Sequence, residues 1–89
     1  MTKSQASRLA TICHDGIALS VRPAHLSGDG DTIFSLAANE DSHSGIDLLG
    51  SFQMDQLFAA AVTCTSEAIV NAVTNAKGMG GISGLGDFV

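Results

Sequence analysis

The stretch Ser27-Gly28-Asp29-Gly30-Asp31-Thr32-Ile33-Phe34 sets charged side chains directly against an apolar run. A single glycine separates Asp29 from Asp31, and the apolar run continues as far as Ala38. Glycine and aspartate favour tight turns, and a short apolar run bounded by a turn is typical of a β-strand. The sequence therefore predicts a turn that leads into a strand, with two carboxylates at the mouth of that strand.

The predicted strand lacks the polar–apolar alternation of a half-exposed strand. Its apolar residues are Ile33, Phe34, Leu36, Ala37 and Ala38. Such a run is typical of a strand that is covered on both faces. We therefore expect the strand to lie inside a layered fold.

A helix is predicted on the N-terminal side of the strand. Thr2 and Gln5 have the spacing of a capping box, and apolar residues at helical spacing continue to Val21. Gly16 leaves two alternatives, because the helix either ends there and is followed by a strand or tolerates the glycine at about 1 kcal/mol. We expect the longer helix, since Pro23 supplies a natural stop just beyond it.

A second, longer helix is predicted to begin near Ser51 or Phe52. Its apolar face follows helical spacing over six turns: Met54, Leu57, Phe58, Ala61, Val62, Thr65, Ala68, Ile69, Ala72, Val73 and Ala76. Lys77 and Gly78 are typical of a helix end. Residues 78–89 contain five glycines and are predicted to form a flexible tail.

Length and composition limit the class of protein. The 89 residues suffice for one small domain, and charged residues make up 15% of the chain, against roughly 25% in an ordinary soluble domain. We therefore expect another chain or segment to cover part of the surface. The net charge is −5 and the four basic residues are scattered, which predicts no nucleic-acid partner and no membrane partner.

The predicted location is the cytoplasm. The N-terminal residues do not have the pattern of a signal peptide, and the central apolar run of residues 57–62 is too short to span a bilayer. Cys13 and Cys64 fall within apolar helical patterns and are interpreted as small buried hydrophobic residues of a reducing compartment. A disulfide between them cannot be decided from the sequence.

The Asp29–Asp31 pair is the candidate catalytic site. Two carboxylates at a strand mouth can hold and polarise a nucleophile or an ammonium group. From spacing alone, an ordinary Asp-Gly turn is the stronger reading. A calcium loop is excluded, because Ile33 and Asn39 stand where oxygen ligands would be needed.

Other side chains are weaker candidates. His14, His25 and His43 share no metal-ligand spacing with either cysteine, so no metal is expected, and no cofactor is expected either. The glycine-rich tail lacks the Lys-Ser/Thr ending of a phosphate loop. Thr2 would become an N-terminal nucleophile if Met1 were removed, but its role as a helix cap explains it better.

Several segments together resemble one known family. The matching segments are His14-Asp15-Gly16, Arg22-Pro23-Ala24-His25, Asp29-Gly30-Asp31-Thr32-Ile33-Phe34 and, in the late helix, Ser66-Glu67-Ala68-Ile69-Val70-Asn71-Ala72. They resemble the C-terminal part of the small chain in the self-cleaving aminopeptidases. That family includes L-aminopeptidase/D-esterases, β-peptidyl aminopeptidases and nylon-oligomer (6-aminohexanoate-oligomer) endohydrolases, and the nylon-hydrolase branch looks most similar. The resemblance covers about residues 3 to 77.

The resemblance implies a mechanism and a fold. Members of this family cut themselves before a Ser or Thr, which becomes the N-terminal nucleophile of the smaller chain. The two chains stay together in a four-layer αββα sandwich and form larger oligomers. By resemblance, Asp29 and Asp31 position the nucleophile and its amine. The implied partners are the larger N-terminal chain of the same precursor, further copies of the protein, and a peptide or amide-oligomer substrate.

The sequence departs from the family at its start, because Met1 stands directly at the cap of the first helix. We therefore expect residues 1–77 to be a C-terminal fragment of an N-terminal-nucleophile hydrolase domain, without the nucleophile strand and the larger chain. The expected fold class is α+β (helix, buried strand, long helix) as part of the sandwich. The fragment alone is expected to be inactive. The alternative is a non-catalytic helical assembly or interaction module.

Overall fold

The computed structural model describes residues 1–38 and 50–88. Its elements are helix α1 (Lys3–Ser20), helix α2 (Ser51–Asn75) and a short 3₁₀ turn (Leu85–Asp87). Both predicted helices are therefore confirmed.

Helix α1 begins with the predicted capping box. The Gln5 backbone N–H donates to the Thr2 hydroxyl at 3.1 Å, and the Thr2 N–H donates to the Gln5 side-chain oxygen at 2.8 Å. The helix then continues through Gly16 to Ser20, so the longer of the two alternatives is correct.

Helix α2 begins where the apolar pattern begins. The N–H of Gly50 donates to the side-chain oxygen of Gln53 at 3.0 Å, which satisfies a backbone group just before the first turn. The helix ends at Asn75, within two residues of the predicted stop at Lys77.

The two helices pack side by side and run in the same direction. Their N-terminal turns line a common groove, with Arg8 on one side and Met54 on the other. Further along, the helices meet at Gly16, where an added Cβ would lie 2.6 Å from the Cβ of Thr65 and 2.8 Å from the carbonyl oxygen of Val62. A residue without a side chain therefore allows this close approach, which explains a glycine inside a helix.

The core between the helices is small. Its buried apolar side chains are Cys13 and Ile17 from α1 and Met54 and Phe58 from α2. The radius of gyration is 16.4 Å, whereas a compact domain of this length has a radius of roughly 12 Å. Much apolar surface is consequently exposed to solvent.

An extended segment (residues 32–38) lies along α1 and runs in the opposite direction to the helix. Ile33 lies beside the middle of α1, the Ser35 hydroxyl donates to the carbonyl of Ala6, and Ala37 lies beside the first turn. From Ile33 to Ala37 the chain passes about nine helical residues, or roughly 13 Å. Four residues cover that distance only when the backbone is close to fully extended.

The two sides of the extended segment have different surroundings. Ile33, Ser35 and Ala37 are half-buried against α1, whereas Phe34 is 89% exposed and Leu36 is 99% exposed. Within residues 1–38 and 50–88, no backbone–backbone hydrogen bond joins this segment to another. The described residues therefore contain no paired strand: the segment is extended and unpaired, and the predicted strand and its place in a layered sandwich stay predictions.

Residues 39–49, which include His43, lie outside the described residues.

A tight hairpin follows α2. Met79 and Ile82 exchange backbone hydrogen bonds of 2.9 and 3.1 Å, and Gly80 and Gly81 between them have φ values of +62° and +83°. Two residues with positive φ are the requirement of a type I′ hairpin turn, and glycine meets it without strain.

The residues after this hairpin return to the end of α2. The Gly86 N–H donates to the Ala76 carbonyl at 2.7 Å, and the Lys77 ammonium donates to the Gly86 carbonyl. These bonds give residues 78–88 a defined conformation, whereas the flexibility predicted for the tail stays a prediction.

Helix α2 also has a membrane-related property. Among the described helices, it alone is long and apolar enough to cross a bilayer by length and composition, with 25 residues and a mean hydropathy of 1.4. A core helix of a soluble protein has the same length and composition. The cytoplasmic location stays a prediction.

Candidate functional site

The loop between α1 and the extended segment carries the predicted site. The Leu26 N–H donates to a carboxylate oxygen of Asp29 at 2.9 Å, and the Asp29 N–H donates to the Leu26 carbonyl at 2.9 Å. These two bonds close a turn with Ser27 and Gly28 at its centre, within the stretch for which a turn is predicted, and Asp29 is its last residue. The turn therefore fixes one carboxylate oxygen of Asp29 and leaves the other oxygen outside this pair of bonds.

Asp31 follows at the start of the extended segment and is exposed. Among the residues that the structure describes, its carboxylate accepts no hydrogen bond and forms no ion pair. Gly28 and Gly30 on either side of Asp29 have open space around them. Both carboxylates are thus presented at the surface, where they can accept hydrogen bonds from an ammonium group or a hydroxyl.

A contact between two histidines connects this loop to α1. The ring of His14, on the fourth turn of α1, lies 5.6 Å from the ring of His25 between centroids, with an angle of 53° between the planes. His14 is half-buried and His25 is exposed. His25 also has a φ of +62°, which is uncommon for any residue other than glycine. Sequence reasoning missed this contact, because no periodic pattern links a helical residue to one beyond the helix end.

Thr2 lies at the other end of the extended segment. It lines the groove beside Ala37, whereas Ile33, nearer the aspartates in sequence, lies at the middle of α1. Both the hydroxyl and the N–H of Thr2 are engaged in the helix cap. The structure therefore does not bring Thr2 together with Asp29, and the interpretation of Thr2 as a cap is confirmed.

The cysteines differ from each other. Cys13 is buried, as predicted, but Cys64 is exposed, so its predicted burial is wrong within the described part of the chain. The reason is geometric: Phe58 faces α1, and Cys64, six residues later, is turned by about 240° around the helix. Both thiols are free.

The described residues give no positive evidence for a metal or a cofactor. In residues 1–38 and 50–88, no group of three or more His, Cys, Asp or Glu side chains could hold a metal ion.

Comparison with known proteins gives a consistent family assignment. The sequence profile of Peptidase family S58 matches residues 1–86. Uncharacterised aminopeptidases of Mycobacterium tuberculosis and Mycobacterium bovis are 33% identical over 88 residues, which cover 92% of this chain and 26% of those proteins. An uncharacterised aminopeptidase of Mycobacterium leprae is 31% identical over 88 residues, covering 92% of this chain and 24% of that protein.

The chain thus spans about a quarter of the length of these curated relatives. No solved structure matches it significantly.

Proposed function

Since the chain belongs to Peptidase family S58, we propose that it is the C-terminal part of an N-terminal-nucleophile amidohydrolase. The family and the aminopeptidase names of the relatives support a peptidase-type function. We further propose that it acts on short peptides or linear amide oligomers of the nylon type. In this proposal the nucleophilic Thr or Ser belongs to a self-processed precursor, and the chain is inactive without it.

The observation that carries the proposal is the presentation of the two aspartates. Asp29 is held by a closed turn, Asp31 is exposed, and both precede the extended segment directly. A fixed carboxylate can orient a nucleophile by accepting a hydrogen bond from its hydroxyl or its amine. We therefore assign Asp29 and Asp31 to positioning the N-terminal nucleophile.

The reaction would proceed by acyl transfer. The hydroxyl of the N-terminal Thr or Ser attacks the amide carbonyl, its proton passes to the free α-amine, and an ester forms with the enzyme. The departing amine takes up a proton as the C–N bond breaks. Water then attacks the ester, releases the acid and restores the hydroxyl. The two carboxylates hold the amine and the hydroxyl of the nucleophile in the orientation that both steps require.

The proposed fold context is the αββα sandwich, with the larger N-terminal chain and further copies as partners in the cytoplasm. Support comes from the outer side of the extended segment. Phe34 and Leu36 are almost fully exposed there, and a strand with unpaired backbone groups is stabilised by a neighbouring strand. Helix α1 lies against the other side of the segment, as expected for a helix packed on a sheet.

The test is a charge-removing double substitution, Asp29→Asn with Asp31→Asn, in the complete protein that carries this chain. Hydrolysis of aminoacyl p-nitroanilides and of 6-aminohexanoate oligomers is measured, with the assembly state determined by light scattering. We expect activity to fall at least about 100-fold with assembly intact. Asp55→Asn removes an exposed carboxylate on α2 and serves as the matched control. Full activity of the double variant would contradict the proposal.

The alternative function, a non-catalytic assembly module, is favoured by one observation. Helix α2 exposes Val70 by 51% and Val73 by 53%, and Leu57 lies on its surface as well. The module predicts that Leu57→Asp or Ile69→Asp disrupts assembly and that the aspartate substitutions have little effect. The same light-scattering and activity measurements therefore separate the two functions.

A further inference from the structure

We propose that His14 is a positioning residue for the aspartate turn and acts through its ring contact with His25. This inference rests on the proposed function, because it assigns a role to a residue that supports Asp29. It adds a connection that runs from helix α1, through two imidazole rings, to the loop that carries the carboxylates.

The first step is that His14, the residue on helix α1, is held in a fixed position. His14 lies six residues before the end of α1, beside Cys13, which is part of the core with α2. The His14 side chain is half-buried and also lines the groove under the extended segment, together with Thr11 and Ser35. Its ring thus has a defined place on a packed helix.

The second step is the conformation of His25. A residue other than glycine with φ near +60° is held there by its surroundings, since the conformation is intrinsically unfavourable. The described contact of the His25 side chain is the tilted approach to the His14 ring at 5.6 Å. Aromatic rings at such a separation and tilt attract each other. The ring contact is therefore suited to keep His25 in its left-handed conformation.

The third step links His25 to the carboxylate. Leu26, the next residue, both donates to and accepts from Asp29 in the closed turn. A change in the backbone of His25 reorients the Leu26 N–H, which is the donor that fixes the Asp29 carboxylate. Loss of the His14 ring is consequently transmitted to the candidate catalytic side chain without any direct contact.

The experiment uses the complete protein with four single variants and with the double variant His14→Ala, His25→Asn. His14→Ala removes the ring from the helix side, and His25→Asn removes it from the loop side but keeps a residue that tolerates the left-handed conformation. His14→Phe keeps an aromatic ring. Thr11→Ala, one turn earlier on the same groove, is the matched control.

Two readouts are measured: hydrogen exchange of the backbone over residues 22–31, followed by mass spectrometry, and the values of kcat and KM. We expect His14→Ala and His25→Asn each to speed exchange about two- to tenfold. We also expect each to lower kcat about tenfold, with KM nearly unchanged, because the nucleophile is misplaced and substrate contacts are kept. His14→Phe should restore both readouts, Thr11→Ala should leave them unchanged, and the double variant should be no worse than either single one.

The outcomes separate this inference from the proposed function. Three results would each refute the ring contact as the cause of the changes. They are an unchanged exchange rate in His14→Ala, additive effects in the double variant, and a loss of kcat in His14→Phe equal to that in His14→Ala. Faster exchange in a protein whose Asp29→Asn, Asp31→Asn variant stays fully active would leave the positioning contact standing and refute the proposed function.

Discussion

Gly16→Ala tests the closest approach between the two helices. In an exposed helical site, replacing glycine by alanine stabilises a helix by about 1 kcal/mol. At Gly16 the new methyl group would lie 2.6 Å from the Thr65 Cβ, 2.8 Å from the Thr65 Cγ2 and 2.8 Å from the Val62 carbonyl oxygen. Unstrained carbon atoms lie about 3.5–4.0 Å apart, so the helices must separate by roughly 1 Å.

The expected sign of the change in the free energy of unfolding follows from two opposing effects. Overpacking of a closed interface costs about 1–3 kcal/mol, and the upper end applies because the Val62 carbonyl is backbone and cannot rotate away. Subtracting the helix gain of about 1 kcal/mol leaves a net loss of about 2 kcal/mol. For a domain of this size, that loss lowers the melting temperature by roughly 10 °C.

The assay is thermal and urea unfolding followed by circular dichroism at the helical band, since the chain has no Trp or Tyr for fluorescence. Asp15→Ala is the control, because Asp15 is the neighbouring helical residue and is exposed. This variant should unfold at the wild-type temperature or slightly above it. A Gly16→Ala protein that is as stable as the wild type would refute the close approach of α1 and α2 at this position.

Three further predictions concern other surfaces. Cys64 is exposed and should react rapidly with a thiol reagent in the folded protein, whereas Cys13, at 8% exposure, should react only on unfolding. Cys64→Ser should therefore remove the fast phase of the reaction. An equal rate for both thiols would contradict this prediction. Gly86→Ala should release the C-terminal segment from α2, because an added Cβ would lie 2.8 Å from the Ala76 carbonyl oxygen. The rate of backbone hydrogen exchange over residues 78–88 should then rise. Gly28→Ala is the control, because an added Cβ at Gly28 meets no atom within 4 Å. Phe34→Asp should change the stability of this chain by less than about 0.5 kcal/mol, because Phe34 is 89% exposed. If the proposed larger chain covers this side, the variant should lose association with it in size-exclusion chromatography, and unchanged association would contradict that arrangement.

The helices could be predicted because their information is local. The capping pair Thr2–Gln5, the apolar spacing along α2 and the stop after Asn75 all act within a few residues. Gly16 could not be fully interpreted in this way. The effect of Gly16 on stability depends on its close approach to Thr65 of helix α2, and the residue pattern of one helix contains no information on the helix that packs against it.

The candidate site was only partly predictable, for a related reason. A turn in this stretch follows from the local chemistry of glycine and aspartate, and a turn centred on Ser27 and Gly28 is present just before Asp29. The contact of His14 with His25 depends on how the chain leaves α1 and on one residue with positive φ. Neither feature has a periodic signal. Likewise, the side of α2 that carries Cys64 is identified only by where α1 packs.

The extended segment was also only partly predictable, and this matters for the proposed function. Its apolar composition predicts an extended backbone, and its half-buried side does lie on α1, but composition cannot supply a neighbouring strand. The extended segment has α1 on one side, and a strand of a stable layered domain is covered by a second layer on the other side. Phe34 and Leu36 mark that face, and Asp29 and Asp31 stand at its entrance. In the proposed hydrolase, assembly would use the exposed side of this segment and positioning of the nucleophile would use the two carboxylates just before it, so that both depend on the same short stretch of sequence.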